Sequence, residues 1–197
     1  MIVFIDRQHS GNPKRINARG ANRDINGDGE ITADELEAIW TGRISIELEI
    51  RLLDMGIKVI PISDGTYPAR HARVNEYAEM HPGPWVYLAM HLNAGGGNYG
   101  AYFYDHRSNK GQQLATIMAQ ELKQACRELE GGARAISAQK GDWTKNAFWC
   151  IKGVGRPVAI CVEPFFMDVH TSLLSIQGIA KVSTSMAKAI KKWGDQQ

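Results

Sequence analysis

Cysteine is scarce in this chain, and what there is does not pair. Cys126, Cys150 and Cys161 are odd in number and show no C-x-x-C spacing. That excludes a disulfide framework and a cysteine zinc cage, and leaves three reduced core residues. No apolar run approaches the roughly 20 residues that cross a bilayer. The opening Met1-Ile2-Val3-Phe4-Ile5-Asp6 meets a charge too soon for a signal peptide and reads as a strand. The protein is therefore expected to be made in the cytoplasm without a classical export signal. Neither sign of charge dominates: 23 Lys and Arg against 21 Asp and Glu give +2, so nothing in the whole chain demands nucleic acid or an anionic membrane. The basic stretch at Lys188, Lys191 and Lys192 reads as a solvated helix end whose charge suits the dipole. Repeats and low-complexity segments are absent. What is present, 197 residues with 44% hydrophobic content, suffices for one sizeable core. One domain over 1–197, a monomer, is expected.

The most specific local pattern is Asp24-Ile25-Asn26-Gly27-Asp28-Gly29-Glu30-Ile31-Thr32-Ala33-Asp34-Glu35, a calcium loop of EF-hand type. Asp24, Asn26 and Asp28 supply side-chain oxygens at positions one, three and five, and Gly29 permits the sharp turn. Glu30 offers its backbone carbonyl, and Glu35 at position twelve clamps the ion with both oxygens. The bland alternative is an acidic, glycine-rich turn ahead of a helix. No second loop follows, and Gly20 weakens any full entering helix, so a lone loop inserted in another domain is the reading.

Short apolar runs alternate with longer helical patterns, which predicts an α/β fold: a twisted, mostly parallel sheet of about five or six strands flanked by helices. Strands are expected at Ile2 to Ile5, Lys58 to Ile62, Trp85 to Met90, Ala101 to Tyr104 and Val158 to Val162. The first helix is expected over Ala33 to Met55, where Leu36, Trp40, Ile44, Leu48 and Leu52 recur at i+4 with Ile39, Ile46, Ile50 and Leu53 beside them, and Gly56 is its natural terminator. The run Ile44 to Ile50 also alternates with period two, so a strand competes there. Further helices are expected near Ala69 to Met80, Ser108 to Leu129 and Ser175 to Trp193. The stretch 131–155, rich in Gly, Lys and aromatics, reads as a loop or lid.

Polar residues follow or end three of these strands: His9, His91 and Glu163. In an open parallel sheet such ends lie on one edge, where ligand sites form. A helix after the first strand starts at that edge, so an acid in its first turns, such as Glu37, can join them. Two imidazoles and a carboxylate make a three-ligand set that leaves zinc an open position, and a further carboxylate can then move a proton. Glu163, at the end of an apolar strand, must be paired or employed; a strand-end salt bridge is the plainer alternative. His71, His81, His106 and His170 are read as structural.

With these positions set out, the chain resembles the zinc-dependent N-acetylmuramoyl-L-alanine amidases of the Amidase_3 group, which includes bacterial cell-wall enzymes and phage endolysins. Ile2-Val3-Phe4-Ile5-Asp6-Arg7-Gln8-His9-Ser10-Gly11 is similar to the family's opening strand, aspartate and His-Gly segment. Met90-His91-Leu92-Asn93-Ala94-Gly95-Gly96-Gly97 with Gly100-Ala101-Tyr102-Phe103-Tyr104 resembles the second histidine motif and the strand after it. Val158 to Glu163, continuing through Pro164-Phe165-Phe166, resembles the strand ending in the catalytic glutamate, and Arg73 with Asn75 fits an arginine region. The likeness covers nearly the whole chain. It departs at Arg7-Gln8, where the family has Pro-Gly, and in the calcium loop.

The resemblance implies that His9, Glu37 and His91 hold zinc and that Glu163 is the acid/base. Glu37 is placed by counting back from Gly56 along the family's long helix; Glu35 is claimed by the calcium loop, and Glu47 and Glu49 would need a shorter helix. The implied reaction is hydrolysis of the amide between N-acetylmuramic acid and L-alanine in peptidoglycan, by a phage endolysin acting on the cell wall after release. Calcium would either order the loop ahead of Glu37 or serve as a permanent structural ion. The rivals are a zinc peptidase cutting within the stem peptide and a non-catalytic, calcium-dependent wall-binding module with a dockerin-like loop.

Overall fold

The computed structural model describes residues 1–7 and 36–197. His9 and the whole calcium loop, Asp24, Asn26, Asp28, Glu30 and Glu35 included, lie outside the described residues.

Among the described residues the elements are, in order, β1 (Ile2–Arg7), α1 (Glu37–Asp54), β2 (Lys58–Ile62), α2 (Tyr67–Met80), β3 (Trp85–Met90), β4 (Gly100–Asp105), α3 (Asn109–Ala125), β5 (Ala133–Ala138), α4 (Lys145–Ile151), β6 (Val158–Glu163) and α5 (Ile176–Gly194). The strands form one six-stranded sheet in the order β2-β1-β3-β6-β4-β5. All neighbours are parallel except β4 and β6. The expected single α/β domain is therefore observed.

Side chains alternate across a strand, so each strand feeds two cores. Val3, Ile5, Leu88, Ile160 and Val162 pack under α1, α3 and α5 with Ile44, Leu48, Leu122, Met186 and Trp193. Phe4, Tyr87, Ala89, Phe103 and Cys161 face the other way, against Val74 of α2 and Phe148 and Cys150 of α4. The same alternation sends Asp6, His91 and Glu163 toward the α2 and α4 side, at the ends of their strands.

In α1 the helix prevails over the period-two alternative: Trp40, Ile44, Leu48 and Leu52 are buried in one stripe. Ile46, Ile50 and Leu53, expected beside that stripe, are about half exposed instead (50%, 49% and 53%), because one helical face saturates the sheet. Gly56 ends the helix at φ 73°, as its lack of a Cβ allows. In α3 the Ser108 hydroxyl accepts from Gly111 N at 2.9 Å and fixes the start.

The stretch 131–155 is not a loop or lid. Ala133–Ala138 pairs with β4 as an edge strand and Lys145–Ile151 forms α4, whose Phe148, Cys150 and Ile151 are buried. Tertiary burial of a few apolar residues overrides the glycine-rich composition there.

Candidate active site

Glu37 opens α1 and is 4% exposed. Its Oε1 lies 3.1 Å from His91 Nδ1 and accepts from the Leu92 amide at 3.0 Å. Two segments remote in sequence are thereby joined at the carboxyl edge of the sheet. Glu47 and Glu49, the other candidates on this helix, are engaged elsewhere, with Arg51 at 2.5 Å and Arg7 at 2.8 Å.

The pairing of β3 with β6 continues beyond both strands. His91 N donates to Val162 O at 2.8 Å, Asn93 N to Phe165 O at 3.1 Å, and Met167 N to Asn93 O at 2.9 Å. This carries His91 and Glu163 forward side by side. Asn93 then ties the two ends together: its Nδ2 donates to Glu163 Oε2 at 2.6 Å, while its Oδ1 accepts from Ala94 N at 2.9 Å. With the oxygen occupied by a backbone amide, the amide group has one orientation left toward Glu163.

Burial lifts the Glu163 carboxyl to about 7; Glu37 and Cys150 push the same way, against the opposing pull of His91. A carboxyl balanced near neutrality is suited to taking and returning a proton. Burial alone would lower the His91 imidazolium, but hydrogen bonds with Cys150 and Glu37 outweigh it and raise the group to about 10.

The floor beneath β1 and β3 is a buried polar triad. Arg70 Nη1 donates to Asp6 Oδ1 at 2.9 Å, and the Tyr87 hydroxyl donates to Asp6 Oδ2. Asp6 has no exposed surface and Arg70 has 7%. Burial raises the Asp6 carboxyl, and the guanidinium and the phenol oppose it. The arginine that underpins the site is thus Arg70 and not Arg73, which donates to Asp64 O at the surface. Asn75 instead holds Gly153 O and Gly155 N.

Three residues that sequence reasoning left aside complete the site. Cys150 Sγ lies 3.5 Å from His91 Nε2 and 3.2 Å from Tyr67 Oη, and Tyr67 Oη lies 3.4 Å from the same nitrogen. Cys161 joins them from β6. The Cys161 thiol beside Cys150 and the His91 ring lower the Cys150 group, whereas Cys161 itself is held high by that neighbour and by burial. A signal existed for Cys161, two residues before Glu163 and so on its face of the strand. None existed for Cys150, in a stretch read as loop, or for Tyr67. The histidines read as structural behave so: His71 contacts Cys150 O at 2.9 Å, His170 contacts the Phe166 backbone, His106 the Ala138 carbonyl, and His81 stacks on Tyr77.

Glu37, Tyr67, His91, Cys150, Cys161 and Glu163 line one open cavity of about 560 Å³, with Trp149 at its side. Glu37 and His91, the two expected zinc ligands among the described residues, stand at a separation that zinc ligands can adopt. A tetrahedral ion at about 2.0 to 2.2 Å from nitrogen and oxygen separates its ligands by about 3.3 Å, close to the 3.1 Å between Glu37 and His91.

The chain has the N-acetylmuramoyl-L-alanine amidase fold. It is similar to an amidase from Clostridium difficile 630, with TM-score 0.72, 17% identity and coverage of 100% of this chain and 97% of that one. It is similar also to the Ami1 amidase from Mycobacterium smegmatis, with TM-score 0.67, 19% identity and coverage of 100% and 98%. The catalytic domain of the CD27L endolysin, which targets Clostridia difficile, matches with TM-score 0.59 and 21% identity over 95% of this chain and 97% of that one. No family model matches the sequence, and no curated protein matches it. Among the described residues, no helix is long and apolar enough to cross a membrane.

Proposed function

We propose that this protein is a peptidoglycan amidase that cleaves the bond between the lactyl group of N-acetylmuramic acid and the L-alanine of the stem peptide. The observation that carries the reading is the meeting of Glu37, His91 and Glu163 in one cavity, on a fold shared with amidases and with an endolysin catalytic domain. An endolysin acting on the wall is the role we favour.

Glu37 and His91, with His9 as the third ligand, would hold zinc. When bound, zinc supplies Lewis acidity, polarising the amide carbonyl and lowering the pKa of a water to about 7. Glu163 takes a proton from the attacking water and returns it to the departing amine, which leaves poorly unless protonated. Asn93 holds the Glu163 carboxylate in one orientation through both steps. Tyr67 and Cys150 fix the far side of the His91 ring, as outer partners of metal-bound histidines do.

Calcium bound by Asp24, Asn26, Asp28, Glu30 and Glu35 would order the chain immediately ahead of Glu37. In support, Glu35, the last residue of the loop, lies two positions before Glu37, the first residue of α1.

Digestion of purified peptidoglycan followed by mass spectrometry tests the reaction. Intact stem peptides freed from glycan, abolished in Glu163→Ala with zinc content retained, are the expected result. Fragments cut within the stem would assign a peptidase, and binding to sacculi without any product would assign a wall-binding module.

A further inference from the structure

We infer that His91 Nε2, Cys150 and Cys161 form a second metal site, selective for thiophilic ions, on the face of the imidazole opposite Glu37. The ring has two chemically different sides. Nδ1 faces a carboxylate oxygen at 3.1 Å, a hard donor, whereas Nε2 faces the Cys150 sulfur at 3.5 Å. The nitrogen and both sulfurs lie within 4.8 Å of one another.

The spacing suits a tetrahedral ion. With metal–sulfur and metal–nitrogen bonds of about 2.3 and 2.0 to 2.1 Å, the nitrogen-to-sulfur edge of a tetrahedron is about 3.5 Å, the separation seen here. Tyr67 Oη, 3.4 Å from Nε2 and 3.2 Å from Cys150 Sγ, borders the same space. Both cysteines are buried, at 6% and 1% exposure, yet both line the open cavity, so an ion can enter and then be shielded from water. Two thiolates and an imidazole are a soft set, matched to ions such as cadmium, monovalent copper and zinc rather than to calcium or magnesium.

Binding exchanges protons for metal. One divalent ion forms two metal–sulfur bonds and one metal–nitrogen bond and releases two protons, one from the Cys161 thiol and one shared by Cys150 and the His91 ring, with no change of oxidation state. On binding, the Nε2 proton leaves while the Nδ1 proton stays directed at Glu37, so the ring presents one lone pair to the thiophilic ion. A zinc ion held by Glu37 and His91 would need the same ring, so the two sites would compete for it.

The test is titration of the reduced, metal-free full chain with cadmium, following the ultraviolet thiolate-to-cadmium charge-transfer band and proton release. The expected result is a band that saturates at one ion per chain with two protons released, lost in Cys150→Ser and in Cys161→Ser, and kept in Cys126→Ser. Absence of the band in the unmodified protein, or its survival in either of the first two variants, overturns the site. Circular dichroism of each variant verifies that it is folded, and the unmodified protein alone can refute the proposal. The hydrolytic ligands carry no sulfur, so this signal is read independently of peptidoglycan cleavage: an inactive protein that shows the band refutes the amidase reading and leaves this site standing.

Discussion

Asn93 reaches back from the loop after β3 to donate a 2.6 Å hydrogen bond to Glu163 at the end of β6. The bond orients the carboxylate without contributing to its burial. Asn93→Ala is therefore expected to lower kcat about 10- to 100-fold, the scale of a misplaced catalytic group, with KM and zinc content little changed. Steady-state kinetics on a soluble muropeptide checks this; a loss confined to KM would place Asn93 in substrate binding instead.

Glu163 also makes stability depend on pH. Its carboxyl is raised in the folded protein from the ordinary 4.5 to about 7, so between these values the native state keeps a proton that the unfolded chain has lost. Its stabilising contribution is fully present below about pH 4.5 and disappears as the pH rises through about 7, amounting to at most about 3 kcal/mol. Melting curves of metal-free protein from pH 4.5 to 8 are expected to fall more steeply for the unmodified chain than for Glu163→Gln. Parallel curves would show that Glu163 titrates normally.

Arg70 offsets a fully buried Asp6 carboxylate. Arg70→Met leaves that charge unpaired, which costs about 3 to 5 kcal/mol. Urea denaturation measures the loss, and it should shrink when Asp6→Asn is added, since the charge then goes as well.

Zinc content discriminates the ligand carboxylate. Glu37→Gln, His91→Ala and His9→Ala are each expected to weaken zinc by more than the roughly 10- to 100-fold that an outer partner costs, whereas Glu47→Gln and Glu49→Gln leave it unchanged. Competition with a chromophoric chelator provides the comparison. Full zinc affinity in Glu37→Gln made together with Cys150→Ser and Cys161→Ser, which removes the thiolate site, would remove Glu37 from the centre.

Calcium added to zinc-loaded protein is expected to raise both Tm and activity, with a Kd of about 10⁻⁴ to 10⁻³ M if the loop behaves as extracellular modules do. Glu35→Gln should abolish both responses. A raised Tm with flat activity would make the ion purely structural.

Much of the fold was legible because strand and helix periods are local. Val158 to Val162 and Trp85 to Met90 are short apolar runs, and the i+4 stripe from Trp40 to Leu52 decided for a helix. The extra strand β5 and helix α4 were not legible: Ala133–Ala138 is half-buried at an edge, and α4 is seven residues long, too short for a periodic signal. Glu37, His91 and Glu163 could be named from strand ends, the count back from Gly56 and likeness to a family.

The sequence by itself determined which residues end the strands and, through alternation, which of them share a face; period two is a property of the extended backbone and needs no partner. Only the tertiary structure decided what those residues meet. Arg70 rather than Arg73 reaches Asp6 because α2 turns that face inward. Cys150 reaches His91 because α4 packs on the sheet beside Cys161, a contact 59 residues apart in the chain. Local preferences carry no information about such approaches, which are set by how whole layers pack.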